Sequence, residues 1–208
     1  QEGVFGEHQS IADQLHDRGY AVVELGRERM QKLADRIRGD LSTEFDLEAW
    51  REAGGRESLR VQDAWQHSEA VQELALLPDI QAMLQTCWGR LPFAFQTLNF
   101  PVGTQQHLHS DAVHFHSEPQ GFMCGVWVAL EDIHPDSGPL EYVPGSQRLP
   151  YLQAADVGVQ QHPGDVPDQT IFHDYWQAAV ASDGFQRETF TPRLGQALIW
   201  SANLIHGG

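Results

Sequence analysis

The pattern of apolar residues changes character at Pro92, and that change restricts the fold more than any other feature of the sequence. Before it, apolar residues recur every three to four positions. Ile11 and Leu15 fall at helical spacing within residues 7–18, and Met30, Leu33, Ile37 and Leu41 form one stripe within residues 27–41. Gly19 closes the first helix, and residues 20–25 read as a strand between the two. Gly54-Gly55 marks a loop, Ser68 opens another helical stretch without the acidic residue of a capping box, and residues 79–87 read as a further helix. After Pro92 the segments are short, rich in aromatic and β-branched residues, and separated by Pro and Gly: 93–100, 122–130, 139–143, 188–191 and 196–199. Residues 122–130 are apolar on both faces, which predicts a central, covered strand. Residues 146–169 show little periodicity and are expected to form a functional loop or lid, followed by a short helix at 174–181. Helices first and strands afterwards imply an α+β chain, mainly β, whose strands form a sandwich or barrel.

Composition narrows the function. At 208 residues the chain is expected to form a single domain, and its formal charge of −16 argues against nucleic acid or an anionic membrane as the partner. No apolar run is long enough to span a bilayer, and no signal peptide is visible at the start. Cys87 and Cys124 have apolar neighbours and read as buried, unpaired thiols of a reducing compartment, the cytoplasm.

Residues 105–116 hold His107, His109, Asp111, His114 and His116. Read as a strand, they put His107, His109 and Asp111 on one face. The His109-x-Asp111 pair offers an imidazole and a carboxylate side by side, a clamp for a divalent metal. His206, at the end of an apolar segment, is the candidate third ligand. Two histidines and one carboxylate with open positions are the arrangement of non-haem Fe(II) oxygenases; zinc also accepts such a set. The plainer reading is of half-buried strand histidines and a core histidine. Arg60 and Trp65 are either pocket residues or a surface arginine and a packed tryptophan.

Four stretches together resemble the phytanoyl-CoA dioxygenase family of Fe(II)/2-oxoglutarate oxygenases. They are His109-Ser-Asp111, Val126-Trp-Val-Ala-Leu-Glu-Asp132, Gly138-Pro-Leu-Glu-Tyr-Val-Pro-Gly-Ser146, and Gly195 with His206-Gly207. The resemblance implies a double-stranded β-helix, a cupin-like jelly-roll, with residues 1–90 as a mostly helical buttress and 91–208 as the core. It implies that His109, Asp111 and His206 hold Fe(II), that Trp127 faces the cosubstrate, and that Gln96 or Asn99 offers an amide to a 2-oxoglutarate carboxylate. The alternatives are core packing for Trp127 and pairing within the sheet for the amides. Asp111 stands where related halogenases carry a small residue, so hydroxylation is expected over halogenation. Gln147 follows Ser146 where the family has His. The family's arginine for the distal 2-oxoglutarate carboxylate lies beyond the second histidine, so the sequence is expected to lack a C-terminal segment.

The expected reaction is O2-dependent hydroxylation of a C–H bond in a small-molecule substrate, with release of succinate and CO2. His107 is expected to support the ligands, face the substrate or sit solvated at a strand end; His114 and His116 are expected to pack or contact substrate. The alternatives to an oxygenase are a jelly-roll metal-binding protein without turnover, or a zinc-dependent hydrolase.

Overall fold

The computed structural model describes residues 2–55, 59–115, 117–158, 170–182 and 184–208. The order of elements is α1 (Glu2–Arg18), β1 (Tyr20–Glu24), α2 (Arg27–Asp40), α3 (Leu47–Glu52), β2 (Val61–Gln62), α4 (Glu69–Ala75), α5 (Pro78–Trp88), β3 (Leu98–Asn99), β4 (Cys124–Val128), β5 (Leu140–Tyr142), α6 (Thr170–Ser182), β6 (Glu188–Phe190), β7 (Gln196–Ser201) and β8 (His206–Gly207). Two three-stranded antiparallel sheets, ordered β1-β7-β4 and β6-β5-β8, carry the core, and a short β2-β3 ladder lies beside them.

Alternation along the strands separates two apolar layers. Ala21, Val23, Ala197 and Ile199, with Cys124, Val126 and Val128, pack against the stripe of α2 and against α1, α4 and α5. Tyr20, Leu198 and Trp200, with Trp127, point the opposite way and meet Leu140, Tyr142 and Phe190 of the second sheet. The helical stripe therefore covers one face of the first sheet, and the other face looks into the space between the sheets. The helices-then-strands order holds, with one strand, β1, drawn from the helical half into the first sheet.

Local chemistry fixes the boundaries. Gly19 sits at φ +84°, and a Cβ there would meet the Gln147 side chain at 2.5 Å and Leu204 at 2.8 Å, so the turn from α1 into β1 requires glycine. Ser68 caps α4 without a capping box, accepting from the Val71 N–H at 3.2 Å and donating to Asp40 Oδ2 at 2.6 Å. Arg27 pairs with both oxygens of Asp132 at 2.8 and 3.0 Å, and Leu194 N–H adds a third bond at 2.7 Å. The Arg27 guanidinium first, then that N–H, holds the Asp132 carboxyl down to about 2.

Four expectations need correction. The strand at 93–100 shrinks to Leu98–Asn99, with Phe93 80% exposed; strand composition does not suffice without a partner and a face to bury. The strand expected at 122–130 shrinks to β4, Cys124–Val128, half-buried throughout and at the edge of its sheet, and the central position goes to β7, which is paired on both sides. Apolar character on both faces reports helices on one side and a second sheet on the other, and says nothing of lateral neighbours. Trp65 is 38% exposed rather than packed, and Arg60 is exposed. The helix expected at 174–181 is longer, Thr170–Ser182. Residues 159–169 of the expected lid, and His116, lie outside the described residues.

Cys87 and Cys124 are both free. Burial pushes the Cys124 thiol up to about 12 and raises Cys87 as well. Neither carries appreciable thiolate at pH 8. Both are expected to resist Ellman's reagent in the native protein and to react once guanidinium unfolds it; prompt native reaction of both thiols would contradict this placement.

Candidate metal centre

The stretch at 105–116, read above as a strand, is not one over its described residues. Its backbone exchanges antiparallel N–H···O bonds with the β8 segment at two places, His109 with His206 at 2.8 and 2.9 Å and Gln106 with Gly208 at 2.6 and 3.1 Å, with an uneven spacing between them. Beyond them the chain turns. Ser110 Oγ accepts from the Ala112 N–H at 3.3 Å and starts a 3₁₀ turn over Asp111–Val113. Ser110 is 1% exposed and donates to Ala202 O and Asn203 Oδ1. Asn203 in turn donates to Leu149 O at 2.6 Å, and Ser146 Oγ accepts from Ile205 N–H at 2.8 Å. These bonds fix the loop from β7 to β8 and so the position of His206.

His109, Asp111 and His206 form one group whose ligand atoms lie within 4.8 Å of one another. Asp111 reaches the group through the turn rather than through alternation along a strand. His109 Nδ1 meets His107 O at 2.8 Å, and His206 Nδ1 meets Leu204 O at 2.9 Å. Only a protonated nitrogen can donate to a carbonyl, so each ring carries its proton on Nδ1 and turns the Nε2 lone pair inward. Those two nitrogens stand 3.7 Å from Asp111 Oδ1 and 3.6 Å from Oδ2. Burial, then repulsion from His206, hold His109 well below its ordinary 6.5, against the attraction of Asp111. It is therefore neutral at pH 7, as a metal ligand must be. Two fixed, inward lone pairs and one carboxylate fit a divalent metal.

Around the group, the His107 ring lies 5.1 Å from His173 of α6, and the His114 ring 6.1 Å from His109. Trp127 turns its side chain between the sheets, 5.8 Å from Phe190. Asn99 sits on β3 opposite Val61, its Oδ1 buried without a partner, and Gln96 is half-buried just before that strand. Among the described residues no contact joins either amide to the metal group. Sequence reasoning missed Trp200, Asn203 and the turn-forming role of Ser110. The Ser-Asp pair was a readable turn signal, whereas nothing in the sequence marks the other two.

The sequence model of the phytanoyl-CoA dioxygenase (PhyH) family matches residues 15–208. The chain belongs to that family. Phytanoyl-CoA dioxygenase domain-containing protein 1 from Mus musculus is 27% identical over 84 residues, 38% of this chain and 29% of the relative. The Danio rerio protein of that name is 42% identical over 45 residues, 22% of this chain and 16% of the relative. The chain thus spans less than a third of these relatives' length. Among solved structures, the non-heme alpha ketoglutarate dependent carbocyclase SnoK from nogalamycin biosynthesis superposes with a TM-score of 0.68 at 17% identity, covering 95% of this chain and 76% of SnoK. EctD from S. alaskensis with 2-oxoglutarate and 5-hydroxyectoine gives 0.68 at 18%, covering 94% and 68%. These likenesses show that the chain shares the fold of such enzymes.

Proposed function

We propose that this protein is an Fe(II)- and 2-oxoglutarate-dependent dioxygenase that hydroxylates a C–H bond of a small molecule. The observation that carries the reading is the convergence of two Nδ1-anchored imidazoles on the Asp111 carboxylate, in a chain of this family. Crystal structures of EctD with bound Fe and with 2-oxoglutarate support the cofactor choice.

In this reading His109, Asp111 and His206 hold Fe(II). Iron(II) with 2-oxoglutarate supplies the oxidising chemistry, in which substrate, 2-oxoglutarate and O2 become hydroxylated substrate, succinate and CO2. The protein's part is to hold three ligands on one side and keep the site dry. The histidine side chains are 9% and 6% exposed and that of Asp111 14%. Trp127 faces the cosubstrate from the inner side of β4. Of the two amides, Asn99 has the unmet bond, and we propose it over Gln96 as the polar contact. His107, His114 and His173 face the substrate. His173→Ala is expected to raise KM while leaving Fe(II) affinity unchanged; an unchanged KM would remove His173 from the pocket. Two free thiols support a cytoplasmic location.

The decisive experiment is anaerobic titration with Fe(II) and then 2-oxoglutarate. A weak visible charge-transfer band supports the proposal. Iron uptake without that band favours the second reading, a metal-binding protein or a zinc-dependent hydrolase, since the donor set also suits Zn(II).

A further inference from the structure

The two oxygens of the Asp111 carboxylate are not equivalent. Oδ2 accepts a hydrogen bond from the Trp200 indole Nε1–H at 3.0 Å. Oδ1 lies 3.7 Å from His109 Nε2, and Oδ2 lies 3.6 Å from His206 Nε2. The indole is held on two sides. The His206 ring lies 4.8 Å from it at an interplanar angle of 52°. Against Gly125 the fit is closer still: a Cβ on that residue would stand 2.1 Å from Cε2 and Cζ2 of the indole. Gly125 pairs with Trp200 across β4 and β7, so the ring lies over the one position of β4 that has no side chain. A phenylalanine would fill much of this space. The single N–H, which only tryptophan brings, is spent on the carboxylate.

We infer that Trp200 is a positioning residue of the metal centre: its indole N–H holds Asp111 Oδ2 and so sets the orientation of the carboxylate toward the metal, and Gly125 provides the space that lets the indole reach it. The inference rests on the metal reading above. The bond takes one of the two lone pairs of Oδ2 and restrains rotation of the carboxylate. Groups that hold metal ligands in this way are worth about 10–100-fold in metal affinity.

The test uses Co(II) alone, an air-stable stand-in for Fe(II), titrated into the whole chain and followed by calorimetry and by its d–d absorption. Trp200→Phe keeps the ring and deletes the N–H. It is expected to bind Co(II) about 10–100-fold more weakly, with a changed d–d spectrum and near-native circular dichroism. Gly125→Ala keeps the N–H and displaces the ring, and is expected to weaken Co(II) in the same direction. If the parent binds Co(II) and both folded variants bind it as tightly with the same spectrum, Trp200 only packs and the inference is overturned. If the parent takes up no Co(II), the metal reading falls and this inference with it. Should neither variant fold, the parent with ¹⁵N-labelled indoles decides, through the Trp200 N–H signal identified by its contacts to Gly125 Hα. A shift of that signal on adding Zn(II) supports the inference, and an unmoved signal overturns it.

Discussion

Asp111→Ala is expected to give a folded protein that shows no Fe(II)/2-oxoglutarate charge-transfer band and no 2-oxoglutarate turnover. In the proposed site the carboxylate is the only anionic group of the three, and its loss would leave two imidazoles. The fold should survive, because the turn around residue 111 is built from backbone and Ser110 bonds rather than from the carboxylate. The substitution does strip the Trp200 N–H of its acceptor, and an unsatisfied buried donor costs about 1–3 kcal/mol. Asp111→Asn separates the two effects. Its amide oxygen still accepts from the indole, so its melting temperature should stay near that of the parent while the band is lost. The measurement is anaerobic absorbance beside thermal melts of all three proteins. A band that persists in Asp111→Ala would show that iron sits elsewhere.

The largest stability effect should come from Phe172→Ala. Phe172 is 1% exposed and stacks on Trp176 at 5.8 Å. Its cluster includes Leu108, Val143 and Ile205, the first and last of which immediately precede the two proposed histidine ligands. Truncating a fully buried phenylalanine costs about 3–5 kcal/mol from lost transfer energy and the cavity left behind. Urea unfolding followed by circular dichroism should show that loss as a lower midpoint with an unchanged slope. Because the cavity opens beside Leu108 and Ile205, Fe(II) affinity should fall as well. A loss below about 1 kcal/mol, the size of an ordinary surface change, would mean that α6 is not docked as described.

Much of this molecule was legible in its sequence because the relevant signals are local. Met30, Leu33 and Ile37 are buried along one side of α2, as a 3.6-residue period requires. Residues 20–25 and 196–199 do form strands, β1 and β7, and pair with each other. Signals needing a partner were less secure: residues 93–100 have strand composition, yet only Leu98 and Asn99 find a neighbouring strand.

At the site, the sequence by itself determined the chemistry on offer: imidazoles at 107, 109, 114 and 206 and a carboxylate at 111. Tertiary structure decided how they meet. A strand would have aligned His109 and Asp111 by alternation. The Ser110 hydroxyl instead captures the backbone and turns the chain, an outcome open to any serine that competes for main-chain bonds. His206 faces His109 because a two-bond bridge joins segments distant in sequence. Trp200 reaches Asp111 because β4 places a glycine beneath its ring. Residue types and local periods are written along the chain. Which side chain fills the space left by which glycine depends on long-range pairing, which no local pattern encodes.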